Sequence, residues 1–496
     1  MDQAHPYCNQ ALAVPERQPN RRPFRPALDS PTKNCPTSRD DDSRRLISVP
    51  PIEVNSEISR NQDLLKRSMA TVWHPCTQMK YHEQTPLLPI ARGEGIWLYD
   101  FEGKRYLDAI SSWWVNLFGH ANPRINAAII DQLGQLEHAM LAGSTHEPVV
   151  ELSERLSGLT GLSHCFYASD GASAVEIALK MSFHYWKNSG RPEKQEFVSL
   201  KNAYHGETLG ALSVTDVSLF RDTYAALLRP STQTASPDWR DARPGEKAED
   251  VARRAAGALE AYLAAKHAHT AAFVVEPLVQ AAGGMAMHHP CFLSEARKLC
   301  DRYEVHLIAD EIAVGFGRTG SFLACEQADV RPDILCLSKG ITGGYLPLSV
   351  TLTSHDIYQA FYDDKMARGF LHSHSYTGNA LACRAALAVL DIFESDQVLA
   401  ANRKKAEQLS LRCSRLAGHP GVRQFRNTGM IWAFEATSED PSFARIFHQC
   451  ALEQGLLLRP LGATVYFMPP YVIDEENMDF LVDGTIAVLD RLHIGR

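Results

Sequence analysis

Glycine is missing from the start of this chain. None of its 31 glycines precedes Gly93, whereas nine of its 27 prolines fall within the first 51 residues. The same stretch holds only Tyr7 and Phe24 as aromatics. A segment with so little to bury cannot offset the entropy of ordering its backbone. Residues 1–62 are therefore expected to be an unstructured Pro/Arg-rich leader, with the folded part starting between Asn61 and Met69. The opening MDQAHPYCNQALAVPERQPNRRP also lacks the apolar core of a secretory signal, and Asp40, Asp41 and Asp42 count against a transit peptide. None of the 11 cysteines forms a CxxC pair or a zinc-like spacing. They read as reduced thiols of a cytoplasmic protein, mostly buried as small hydrophobes. Excess positive charge is absent as well. A net charge of −8 and a pI near 6.2 exclude a nucleic-acid binder working through bulk charge. No apolar run approaches the roughly 20 residues of a membrane span, and mean hydropathy is −0.22.

What is present is a large globular chain. At 496 residues, 45% hydrophobic and 22% charged, it can bury a sizeable core in two or three domains. GIWLYDFEGKRYLDAISSWW (95–114) alternates on both sides of Glu102-Gly103 and predicts two short strands. Helical spacing predicts helices over 123–140, 148–159, 173–187, 251–267, 292–304 and 380–395. Apolar runs predict strands over 164–169, 196–202, 271–277, 305–311 and 333–339. The segment 230–250 reads as a polar loop. Strands alternating with helices imply a mostly parallel sheet covered on both faces, an α/β fold whose ligands bind at strand ends. The expected division is 63–124 and 396–496 as the two parts of a smaller α+β domain, around a large domain over 125–395.

Two motifs mislead. GFGRTG (315–320) fits G-x-G-x-x-G after a strand, which would make an NAD-dependent dehydrogenase. Yet Asp310 and Glu311 end that strand, where a pyrophosphate should approach, and the following SFLACEQADVRPD lacks helix periodicity. His288, His289, His372 and His374 have no carboxylate at ligand spacing, so no metal is expected. The stronger signal is a pair of strand ends. Asp310 closes LIAD and Lys339 closes DILCLSK, immediately before Gly340. A desolvated lysine becomes a nucleophile able to form a Schiff base. An acid about 4 Å from a pyridine nitrogen gains roughly 4 kcal/mol at an effective dielectric of 20, enough to hold that nitrogen protonated. Together they form the pattern expected for pyridoxal phosphate, with a buried salt bridge as the lesser alternative for the pair taken alone.

The surrounding motifs resemble the fold-type I pyridoxal-phosphate enzymes of the class III aminotransferase family, from about Val72 to Pro470. LIADEIAVGFGRTG (307–320) is similar to the family's strand and loop. The resemblance makes Asp310 the partner of the pyridinium nitrogen and Lys339 in CLSKGITGGYLPLS the Schiff-base lysine. ASDGASAVEIALK (168–180) looks like the phosphate cup, with Gly171 and Ala172 opening a helix whose amides and dipole suit a phosphate. Tyr204 in NAYHGET stands where the family stacks an aromatic on the cofactor. HSHSYTGN (372–379), with Ser373, His374 and Ser375, resembles the stretch that a neighbouring subunit contributes, which implies a homodimer with shared active sites.

Substrate features narrow the resemblance to the branch that aminates 8-amino-7-oxononanoate in biotin synthesis. SSWWVN (111–116) carries that branch's double tryptophan, so Trp113 and Trp114 would wall the pocket; without the surrounding match they would read as a core pair. Arg459 in LLLRPLGATVYFMPPY (456–471) would hold the oxo acid's carboxylate, which a planar guanidinium fits well. Arg318 reads as structural. Three positions depart from the family. Cys76 in WHPCTQM replaces a tyrosine tied to amino-donor recognition, Ala172 replaces a hydroxyl residue, and Ala380 replaces a proline. The donor is expected to be S-adenosyl-L-methionine. The Cys76 departure keeps open another ω-aminotransferase using lysine, a diamine or an ornithine-like donor. A non-catalytic scaffold of the same fold would be expected to lose Asp310 or Lys339, and both are present.

Overall fold

The structure, a computed structural model, describes residues 58–85 and 87–493. Most of the expected leader therefore lies outside the described residues. Within its last few positions, Ser59 caps a helix over Arg60–Thr71, its hydroxyl accepting from the Gln62 amide while Gln62 reaches back to the Ser59 amide. Ordered chain thus begins before Asn61.

The centre is a seven-stranded sheet. Its strands are β1 (His164–Ala168), β2 (Glu196–Leu200), β3 (Thr232–Thr234), β4 (Thr270–Val275), β5 (His306–Asp310), β6 (Ile334–Leu337) and β7 (Ser349–Thr353). They lie in the order β1-β7-β6-β5-β4-β2-β3. β7 runs antiparallel to both neighbours, and the remaining pairs are parallel. The central strands β4, β5, β6 and β7 are buried at every residue, as strands covered on both faces must be. Helices over Gly171–Asn188, Ala248–Lys266, Cys291–Arg302 and Ala380–Ser395 pack around them.

Several expectations change. The helix expected over 123–140 stops at Leu133, where Gly134 caps it. β7 has no counterpart in the sequence reading, and the polar segment 230–250 contains the short edge strand β3. The strands expected within 95–114 are Trp97–Asp100 and Arg105–Asp108, joined by a third over Ile90–Glu94. Beyond them, Ser111, Ser112, Trp113 and Trp114 all have positive φ, so SSWW is a left-handed turn and not the end of a strand. Residues 315–320 form turns followed by only a short 3-10 helix over Ala324–Ala328, not the α-helix that a dinucleotide site needs, which removes that reading.

An N-terminal and a C-terminal segment meet in a second sheet, where Leu456–Leu457 pairs in parallel with Arg105–Asp108. A three-stranded antiparallel sheet over Val422–Thr428, Ile431–Ala436 and Thr464–Phe467 completes the C-terminal region. Arg318 ties this region to the site: its guanidinium donates to the carbonyls of Asn116 and Pro469 at 2.9 and 2.8 Å, fully buried. That supports its structural assignment. Among the described residues no helix is long and apolar enough to cross a membrane. None of the nine described cysteines is paired, and six are buried.

Candidate active site

Asp310 closes β5, while Lys339, expected to close the neighbouring β6, stands two residues beyond its end at the start of a 3-10 helix over Lys339–Thr342, and the structure brings the two to one cleft. Its inner chamber, about 270 Å³, is lined by Asp170, Gly171, Ala172, Tyr204, His205, Glu276, Asp310 and Lys339, among others. The outer chamber, about 640 Å³, is lined by Cys76, Trp113, Arg459 and Tyr466 over an apolar wall. Trp114, Tyr204, Glu207 and Lys339 line both.

Asp310 is held from two sides. Its Oδ2 lies 2.8 Å from Nδ1 of buried His205, and its Oδ1 accepts from the Ile312 amide at 3.1 Å. Beside this pair sits Glu276, whose two oxygens accept from the amides of Tyr204 and Ala281 at 2.9 and 3.0 Å. Burial pushes the Glu276 carboxyl up to about 7, and nearby Asp310 adds to the rise, while His205 opposes it. Lys339 has φ of 46° and directs its ammonium toward the face of Trp114, 5.0 Å from the ring centre. Burial lowers its pKa below the ordinary lysine value, against the raising effect of Asp310 and Glu276. A lysine so shifted supplies free amine nearer neutral pH, as a nucleophile or proton carrier requires.

The helix over Gly171–Asn188 aims its N-terminus at the inner chamber. Asp170 caps it, accepting from the Ser173 amide at 2.9 Å and its hydroxyl at 2.8 Å. The amides of Gly171 and Ala172 have no partner among the described residues, which is the arrangement that suits an anion. Small residues keep this corner open. Gly206 has φ of 125°, and a side chain there would meet the Ala172 Cβ at 2.5 Å. Tyr204 donates its hydroxyl to Glu207 at 2.9 Å. Burial, reinforced by Glu207, raises its pKa, so it stays a donor.

These features fit pyridoxal phosphate. The chamber offers a helix terminus with free amides for the phosphate, a buried carboxylate for the ring nitrogen, an aromatic side chain and one amine. His205, which lines the chamber, has its Nε2 buried without a partner among the described residues.

In the outer chamber Arg459 lies over the Trp113 ring at 4.8 Å and donates to the Cys76 carbonyl at 3.2 Å. Trp113 is 42% exposed, whereas Trp114 is buried with its indole N–H on the Tyr466 hydroxyl at 3.1 Å. Ser373, His374 and Ser375 are not brought to this cleft within the chain. His374 instead contacts His372 at 3.0 Å, and the Ser375 carbonyl meets His138 at 2.8 Å. The sequence reading did not single out His205, Glu207 or Glu276. The first two follow Tyr204 in NAYHGET, and Glu276 directly follows β4, the same strand-end signal that marks Asp310.

Residues 78–489 match the aminotransferase class-III family. The adenosylmethionine-8-amino-7-oxononanoate aminotransferase of Helicobacter pylori is 46% identical over 444 residues, covering 88% of this chain and 99% of the relative. The crystal structure of the enzyme of that same name from Methanocaldococcus jannaschii superposes with a TM-score of 0.81 at 33% identity, covering 86% of this chain and 98% of the other. The PLP-bound form of an amine transaminase from an uncultivated Pseudomonas species gives 0.80 at 32% identity, covering 85% and 98%.

Proposed function

The chain belongs to the class III aminotransferases and is a pyridoxal-phosphate-dependent aminotransferase, and from that premise we propose that it converts 8-amino-7-oxononanoate to 7,8-diaminononanoate in biotin biosynthesis, with S-adenosyl-L-methionine as amino donor. The observation that carries the substrate is the outer chamber. Arg459 presents a guanidinium with no carboxylate partner among the described residues, over an indole face in a largely apolar chamber that also holds Lys339 and Glu207. A long oxo acid with a terminal carboxylate matches that layout, since the fork binds the carboxylate and the walls bury its chain. The donor follows the name that the relatives carry.

Pyridoxal phosphate, when bound, supplies the electron sink that makes the amine-bearing carbon acidic. Gly171 and Ala172 would hold its phosphate through their amides, Asp310 its ring nitrogen, Tyr204 its ring face and Lys339 its carbonyl carbon. Lys339 Nζ takes the proton from the amine-bearing carbon of the donor and later delivers one to C7 of the oxo acid, general acid–base work that suits its lowered pKa. His205 keeps the Asp310 carboxylate in place. Trp113 and Trp114 shield the reacting carbons from water. The reading also includes a cytoplasmic homodimer in which Ser373, His374 and Ser375 serve the partner's cleft. The exposed apolar side chains of Leu371 and Tyr376 beside that segment support it.

A second reading rests on Cys76, which lines the outer chamber where the family's tyrosine would stand: the amine then comes from lysine or another diamine. The test supplies 8-amino-7-oxononanoate with S-adenosyl-L-methionine or with lysine in separate assays and measures diaminononanoate. Product from the first alone is expected. Product from lysine alone overturns the donor, and none from either overturns the substrate. Lys339→Ala should abolish turnover and the visible absorbance of the holoenzyme.

A further inference from the structure

Two opposite charges in the outer chamber lack each other. Glu207 is the one carboxylate among its lining residues, and Arg459 is the cation beside Lys339. Neither is within ion-pair distance of an opposite charge among the described residues. Arg459 uses the Cys76 carbonyl and the Trp113 face, and Glu207 accepts only from the Tyr204 hydroxyl, at 2.9 Å on Oε1. That leaves Oε2 free. The rest of the wall includes Val217, Leu219, Phe220, Pro460 and Leu461. A chamber with an open carboxylate and an open guanidinium across an apolar wall is complementary to a ligand with a cation and an anion joined by a hydrocarbon. Glu207 also lines the inner chamber with Lys339, whereas Arg459 lines only the outer one. The ligand's cation therefore belongs at the end where bonds change, and its anion at the other.

We propose that Glu207, held by Tyr204, is a specificity-determining residue that reads an ammonium on the carbon next to the reacting ketone. The inference rests on the substrate reading above, in which that group is the C8 ammonium of 8-amino-7-oxononanoate. Glu207 is an exposed residue, so an oxo acid without the ammonium forgoes a charge-assisted contact, and the preference follows from that missing contact. Tyr204 contributes by holding Oε1, and its raised pKa keeps its proton on the phenol as the donor that this geometry needs.

The test compares kcat/KM for 8-amino-7-oxononanoate and for 7-oxononanoate, which lacks the amine, on the holoenzyme and on Glu207→Gln and Glu207→Asp. The parent should prefer the amino substrate by at least about tenfold, the worth of one charge-assisted hydrogen bond. Glu207→Gln should bring that ratio close to one through the KM of the amino substrate, and Glu207→Asp, which keeps the charge, should retain a preference. An unchanged ratio in Glu207→Gln overturns the proposal and leaves the substrate reading intact. An equal loss on both substrates also overturns it, because Glu207 would then only position Tyr204. A parent holoenzyme that converts neither acid overturns the substrate reading and this proposal together.

Discussion

Chemistry at the residue scale depends on which charges are compensated and which are left open. Asp310 is compensated twice, by His205 and the Ile312 amide, and stays where the strand puts it. Arg459 is open, so its loss should fall on binding. Arg459→Ala is expected to raise KM for the oxo acid by about ten- to a hundredfold with a smaller change in kcat, the range for one lost charge-assisted contact. Arg459→Lys should recover only part of it, because a point charge cannot make the fork's paired hydrogen bonds. Steady-state kinetics on the three proteins check this, and an unchanged KM in the alanine variant removes Arg459 from the substrate site. Asp310 and Lys339 were legible in the sequence because each ends an apolar run beside a turn. Glu276 carries the same mark after β4, but one strand-end acid in a sequence does not say that another strand's acid lies next to it. His205 and Glu207 were equally visible as letters; what made them functional was the fold that turned them toward Asp310 and the outer chamber.

At the scale of elements, the long helices and the five expected strands follow their sequence pattern, and β7 shows why periodicity fails. In Ser349–Thr353 the residues Ser349, Thr351 and Thr353 alternate with Val350 and Leu352, a pattern that reads as half solvated. All five are buried; Thr351 donates its hydroxyl to the Ala174 carbonyl and Thr353 to the Asp333 carbonyl, at 2.8 and 3.1 Å, while the small Ser349 hydroxyl is buried without a partner among the described residues. Hydrogen bonds to neighbouring main chain make polar residues compatible with a core. The SSWW turn is hidden for another reason. Its positive φ values cost roughly 1–2 kcal/mol per residue, and specific side chains hold it: Asp108, four residues back, accepts from the Ser112 amide and hydroxyl, and the distant Met468 carbonyl from Ser111. β5 links the site to stability through its other end. His306 begins the strand that Asp310 closes, with its Nδ1 2.9 Å from the Ser182 hydroxyl and its ring stacked on Trp186. Burial lowers its pKa to about 4, against Asp333, with Lys194 and Arg297 adding to the fall. A folded pKa below the unfolded one near 6.5 means the stabilisation is complete above about pH 6.5 and is lost as pH falls toward about 4, up to about 3 kcal/mol. His288, also lowered to about 4 by burial, acts in the same window. His306→Gln should therefore flatten, without abolishing, the decline of the thermal midpoint over that range. An identical slope in parent and variant would show that His306 does not drive it.

For the whole molecule, the question is where a complete active site exists. The cleft contains Lys339, Asp310 and the free amides of Gly171 and Ala172. The segment holding Ser373, His374 and Ser375 lies elsewhere on the same chain, with His372 against Lys180 at 2.7 Å, on the helix that Gly171 opens. Near it in sequence Tyr362, Met366, Leu371 and Tyr376 are exposed, apolar surface that a contact face would bury. A two-fold dimer pairing these faces would use each surface twice and could bring Ser375 of one protomer to the phosphate end of the other. Sequence motifs point to this exchange only through family likeness, because no periodicity encodes which chain a loop serves. Hybrid dimers test it. Lys339→Ala destroys a cleft in cis, whereas Ser375→Glu sets a negative charge against the phosphate of the cleft that this segment serves. If that cleft is the partner's, a hybrid of the two variants holds one site with both lesions and one with neither. Each variant alone should be inactive, and random mixing should restore about a quarter of parent activity, since half the dimers are hybrids with one working site each. No recovery on mixing, with dimers demonstrated by sedimentation, would place Ser375 in its own chain's site and require the 372–379 segment to move there on cofactor binding.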